Sequence, residues 1–215
     1  MAKLRVVLKR AVIGLAGMLL ALPAVLAAFA WYCDWSVRAE PSEQVRHLPG
    51  DELIPKPLGT VTHAVTIRRP SRAVWPWLAQ MGSGRGGWYA YDFIDNGGRP
   101  SAERILPEYQ KVRVGTVFPA LPGAKDVFVV ARCNREHDLV LAWRSPDGRY
   151  RTTWAFVLEQ QAPGHTRLVV RGRIAPGYTP LGLPEWFEKL LAPWAHIIME
   201  RKQLLGIKQR AEAAP

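Results

Sequence analysis

The chain has 215 residues, a formal net charge of +11 and two cysteines, enough length for one domain with appendages. Two cysteines exclude a disulfide framework, and Cys33 and Cys133 lie too far apart in sequence and setting to expect a bridge. The five histidines (His47, His63, His137, His165, His196) never pair at ligand spacing, so neither a metal nor a cofactor is expected. No nucleic-acid motif accompanies the positive charge, which argues against a nucleic-acid partner.

Residues 1–10 form a basic segment containing Lys3, Arg5, Lys9 and Arg10. Residues 11–32 carry no charge. Twenty-two such residues span a bilayer core of roughly 30 Å at about 1.5 Å per residue. The positive bias before them predicts a single-pass anchor at the cell membrane, with the N-terminus cytoplasmic and the rest extracytoplasmic. The alternative is a signal peptide cleaved near Ala30, since Ala28-Phe29-Ala30 is a small-x-small site. Residues 33–58, broken by Pro41, Pro49, Gly50, Pro55 and Pro57, read as a Pro-rich tether. The folded domain is then 59–212.

Val65 and Ile67 alternate with Thr66 and Arg68, which is strand period. Pro70 stops the strand. Ser71 suits an N-cap for a helix over Arg72 to Met81, with Val74, Trp75, Leu78 and Met81 on one face. Five segments downstream have strand character: Gly115 to Phe118, Asp126 to Arg132, Asp138 to Arg144, Tyr150 to Glu159 and Thr166 to Arg173. Short Pro, Gly and Asn turns between them imply an antiparallel meander. A last helix runs from about Pro193 to Ala211, with Trp194, Ile197, Ile198, Leu204 and Leu205 at helical spacing. Before it, Trp186, Phe187, Leu190 and Leu191 make an amphipathic piece that either closes one end of the domain or dips into a membrane interface.

This order resembles the START-like, polyketide-cyclase and lipid-transfer superfamily (SRPBCC), whose fold is the helix grip. Pro70-Ser71-Arg72-Ala73-Val74-Trp75-Pro76-Trp77-Leu78 looks like that superfamily's first helix. Gly84-Arg85-Gly86-Gly87-Trp88-Tyr89-Ala90-Tyr91-Asp92, with Asp95-Asn96 and Arg104-Ile105-Leu106-Pro107-Glu108, is similar to a bacterial, membrane-anchored subgroup. The resemblance covers about Val61 to Ala211. It implies an α+β fold, a curved antiparallel sheet around a long C-terminal helix, and a hydrophobic small molecule or lipid as ligand.

Gly82-Ser83-Gly84-Arg85-Gly86-Gly87 matches a dinucleotide fingerprint in letters, but follows a helix where that motif follows a strand. Trp88, Tyr89 and Tyr91 either line a pocket or plug the gap between helix and sheet. Asp92, Asp95, Arg85, Arg99 and Arg104 are expected to form ion pairs that fix this insert. Along β-period spacing, Tyr150, Thr152, Trp154, Phe156 and Leu158 share the face that should look at the C-terminal helix. Leu139, Leu141 and Trp143 do the same in the strand before. The candidate ligand-binding residues are therefore Trp77, Trp88, Tyr89, Tyr91, Asp92, Trp143, Trp154 and Phe156, around a largely apolar cavity with Trp88 and Tyr91 near its opening. Arg68, Arg69, Arg72, Arg167, Arg171 and Arg173 form either a solvated basic face or one that meets anionic headgroups. The expected function is membrane-anchored binding or transfer of the hydrophobic ligand. One alternative is an enzyme of cyclase or hydratase type using polar pocket residues as acid and base, though no paired nucleophile and base and no metal set supports it. A non-binding interaction module with a filled core is the other.

Overall fold

The computed structural model describes residues 21, 24–123, 127–177 and 185–214, without the side chains of 185–192. Among them, six strands build one antiparallel sheet: β1 (Gly59–Ile67), β2 (Val117–Pro119), β3 (Val127–Asn134), β4 (Asp138–Arg144), β5 (Tyr150–Ala162) and β6 (His165–Ile174). Their spatial order is β1-β6-β5-β4-β3-β2. The meander follows from its turn chemistry, with Gly148 and Gly164 each supplying a positive φ that a side chain resists. β1 closes on β6, Gly59 opposite Ile174 and Ile67 opposite Thr166.

Helical segments are α1 (24–36), α2 (Pro41–Val45), α3 (Ser71–Ala79), α4 (Asp92–Asp95) and α5 (Glu185–Ala213). This is an α+β helix grip. Strand alternation puts Val65, Ile67, Leu139, Leu141, Phe156, Leu158, Leu168 and Val170 into one core with Val74, Trp75 and Leu78 of α3 and Leu204, Ile207 and Ala211 of α5. Each fully buried Leu, Ile or Phe there contributes roughly 1.5 to 3 kcal/mol.

Several expectations change. Ser71 is already helical and Pro70 is the N-cap, with no side-chain cap bond. α5 runs straight through Pro193 and starts at Glu185. Proline in a helix interior costs about 3 kcal/mol but does not forbid the helix. The buried stripe of α5 is Glu200, Gln203, Leu204, Ile207 and Ala211, so two of its members are polar, while Ile197 and Ile198 are only half-buried. The amphipathic reading of 180–191 falls on 180–184 and on the side chains of 185–191, outside the described residues. So does most of the anchor over 11–32. Among the described residues, no helix is long and apolar enough to cross a membrane.

Residues 33–58, expected to be a tether, are docked on the domain: 33–37 pack beside α5, with Val37 in the main core, and 39–54 lie on the outer face of the sheet. Ala39 and Leu48 pack with Ala64, Val157 and Val169. Gly50, at φ 92°, lies against Val140, where a Cβ would come within 2.7 Å. The outward arginines of β6 are not a free basic face either. Arg167 makes a bidentate pair with Glu43 at 2.8 Å. Arg171 reaches Asp51 at 2.8 Å and the carbonyls of Glu43, Gln44 and Arg46. Arg173 adds a 2.9 Å contact to Asp51. The prolines and glycine that suggest a linker here shape a covering segment instead, and two acids within it provide the attraction.

Candidate functional site

The insert after α3 is positioned by Arg85. The last carbonyls of a helix lack intrahelical partners, and the Arg85 guanidinium satisfies one of them, Ala79 O, together with Met81 O just beyond the helix, both at 2.8 Å. It also lies over the rings of Tyr109 (4.5 Å) and Phe118 (4.4 Å). Burial lowers its pKa from the ordinary value. The ion pairs expected between Arg85, Arg99, Arg104 and Asp92 or Asp95 do not form among the described residues. Asp92 instead accepts from Ser101 N at 2.9 Å and from the Ser101 hydroxyl. Asp95 is buried without a hydrogen bond from its carboxylate oxygens, and burial, then Asp92, pushes its pKa up to about 6.

From this scaffold Trp88 points into the grip. It is buried rather than at an opening. Its indole N–H donates to Ala120 O at 2.9 Å. It stacks on Trp154 with ring centroids 5.5 Å apart and meets Phe128 edge-on at 6.0 Å. Trp154 in turn contacts Phe156 at 5.0 Å and His196 of α5 at 6.2 Å. Strand period and register put Trp154 and Phe156 on the inward face, as the sequence implies. Yet Trp154 and Phe128 remain half-buried. The five rings form a floor in which Trp88 and Phe156 are buried and Phe128, Trp154 and His196 are partly exposed.

Beside that floor lies a charged cluster that the sequence analysis missed. His63 of β1 is 2% exposed. Its Nδ1 meets Glu200 of α5 and its Nε2 meets Asp34 of α1 at 3.1 Å. Carboxylates only accept, so the ring satisfies both partners only as the doubly protonated imidazolium. Burial works against that charge, but Glu200 and then Asp34 raise the His63 pKa. Burial likewise works against the Glu200 carboxylate, yet His196 and His63 hold its pKa well below the usual range. Glu200 also accepts from Trp154 Nε1 at 3.0 Å, and His196 Nε2 lies 3.4 Å away. His196 is 37% exposed at its side chain. The result is a line of alternating imidazoles and carboxylates, hydrogen-bonded from Glu200 through His63 to Asp34, with His196 beside Glu200 at its more exposed end. Its sequence signal was a lone carboxylate, Glu200, in helical phase with Leu204, Ile207 and Ala211. Among the described residues, no group of three or more His, Cys, Asp or Glu is placed to hold a metal ion.

The structure thus divides the eight candidate residues. Trp88, Trp154 and Phe156 come together. Trp143 is half-buried near the end of β4. Trp77, Tyr89 and Asp92 line a separate cleft of about 630 Å³ with Glu103, Arg104 and Lys202. Tyr89 there donates its hydroxyl to Trp77 O at 3.0 Å. That cleft is about half open, with polar and apolar surface in nearly equal shares. Tyr91 caps the start of α4 and is 36% exposed.

No known family model matches the chain, and no curated protein does. Solved structures similar to it include a protein from Mesorhizobium loti, 16% identical over 73% of this chain and 99% of that one, with a TM-score of 0.44. A polyketide cyclase-like protein from Corynebacterium glutamicum is 17% identical over 73% and 92%, with a TM-score of 0.41. An HSP90 activator from Plasmodium falciparum is 11% identical over 68% and 94%, also at 0.41.

Proposed function

We propose that this chain is a membrane-anchored START-like domain that holds a hydrophobic small molecule or lipid against the floor of Trp88, Phe128, Trp154, Phe156 and His196. The observation that carries the reading is the half-buried state of Trp154 and Phe128. Aromatic rings that face a helix across a sheet are normally sealed, and rings left partly open at the centre of a cluster offer an apolar surface for a ligand. The anchor is residues 11–32, with the domain extracytoplasmic. Native mass spectrometry of the purified chain should detect a co-purified apolar molecule, and Trp154→Ala should lower its occupancy several-fold. A chain that carries no adduct and takes up no added fatty acid would sink the binding reading and leave an interaction module.

A second reading has its own observation. His196 is half-open, lies against the aromatic floor and is backed by the buried Glu200. That is an arrangement in which an imidazole can act as general acid or base on a bound molecule. Conversion of the bound molecule to a product that separates from it by chromatography, lost in His196→Ala with occupancy retained, would establish an enzyme of cyclase or hydratase type. A molecule recovered chemically unchanged leaves a carrier.

A further inference from the structure

α1 does not end in a flexible linker. It is helical to residue 36, and its last turns are built into the domain. Ala30, Cys33 and Val37 are each 3% exposed or less. Asp34 is bonded to the buried His63. Ser36 Oγ accepts from Arg201 Nε of α5 at 2.7 Å, and the same guanidinium lies 5.0 Å over the Tyr32 ring. The rest of the α1 surface carries exposed rings: Trp31 is 64% exposed, Trp35 61% and Phe29 42%, and Tyr32, covered on one side by Arg201, is still 46% exposed. Across from it on α5, Trp194 is 38% exposed. Seven residues separate Trp194 from Arg201, two helical turns, so both lie on one face of α5, roughly 10 Å apart. His196, at the open edge of the aromatic floor, is two residues further on.

Water does not favour this many exposed tryptophan and tyrosine rings, whereas the headgroup level of a bilayer does. The chain entering α1 supplies the reason for choosing a bilayer over a protein partner. The uncharged run 11–32 leads straight into these rings. We propose that Phe29, Trp31, Tyr32, Trp35 and Trp194 form one interfacial surface embedded in a lipid bilayer. The rigid α1–α5 junction then holds the open edge of the aromatic floor against the membrane, and the ligand is an apolar molecule dissolved in that bilayer. This rests on the anchor reading of residues 11–32.

The full chain in liposomes of phosphatidylcholine and phosphatidylglycerol tests it, with a photoreactive benzoylphenylalanine replacing Trp35, Trp194 or, as control, Val45, which is 84% exposed on α2. Illumination should cross-link lipid several-fold more at positions 35 and 194 than at 45. Labelling at 35 without labelling at 194 overturns the fixed junction. Labelling at neither, in a chain that resists alkaline extraction, overturns the interface while the anchor stands. Extraction of the chain by alkaline carbonate removes the anchor and this inference together.

Discussion

The side chains with the largest consequences are those that carry charge where the fold excludes water. His63 has a raised pKa, so its contribution to stability is complete below its unfolded value of 6.5 and is lost as pH rises through the higher folded value. Glu200 and Asp34 have lowered values, so theirs is complete above the unfolded 4.5 and 3.8 and is lost as pH falls through the folded ones. The cluster therefore stabilises most between about pH 4.5 and 6.5. Urea midpoints measured across pH should fall on both sides of that window, and His63→Gln should remove the alkaline fall. His63→Ala, which strands Glu200 without its main partner, should cost about 3 to 5 kcal/mol. A midpoint that stays flat from pH 5 to 9 would rule out the imidazolium. None of this was legible from residue type. His63 sits in a strand whose alternation gives a polar residue no special mark, and its partners lie 29 and 137 positions away.

At the scale of elements the sequence was far more readable. β4 was placed to the residue, and β3, β5 and β6 to within three, because their turn residues and their alternation agree. Helices were harder. Pro193 was given the first position of α5, although a proline penalises a helix without forbidding it. The helical spacing of Trp194, Ile197, Ile198, Leu204, Leu205 and Lys208 does not single out Glu200 and Gln203. Gly206 was passed over as well, yet it sets how closely α5 approaches the insert. A Cβ there would overlap Tyr89 O, and Arg210 one turn on lies 4.9 Å over the Tyr89 ring. The sign of Gly206→Ala is therefore diagnostic. In an exposed helix that change gains about 1 kcal/mol. Here overpacking should outweigh the gain, with a net loss of about 1 to 3 kcal/mol. A variant that melts higher than the parent would show that the insert does not rest on this glycine. Arg85→Ala, by uncovering Ala79 O and Met81 O, should lower stability by about 2 to 3 kcal/mol, read from the same denaturation curves.

For the molecule as a whole, the sheet is covered on both faces, and the second cover comes from the stretch that composition assigns to a linker. Low periodicity and frequent proline do mark chain that forms no long element. They say nothing about whether short pieces of it are held down by side chains of other strands. The outward arginines Arg167, Arg171 and Arg173 do that holding, and only three-dimensional register brings Glu43 and Asp51 to them. The two accounts of 33–58 predict opposite results. If it were a tether, Asp51→Ala would leave the unfolding midpoint where it was and proteases would cut at Arg46. Docked, Asp51 is 4% exposed, its carboxylate accepts from Arg171 and it lies 2.9 Å from Arg173 Nε. Its removal strands a guanidinium that is itself 2% exposed. Breaking such a buried pair from one side costs about 3 to 5 kcal/mol, because the remaining charge keeps its desolvation without its partner. Asp51→Ala should therefore unfold at clearly lower urea, and limited trypsin digestion should spare Arg46 in the parent chain but cut there in the variant. The covering segment also links function to fold, since α1 and α2 are separated only by residues 37–40. Loosening it should free the α1 end from His63 and, on the proposed binding function, weaken apolar ligand retention, even though Asp51 lies on the face of the sheet opposite the aromatic floor.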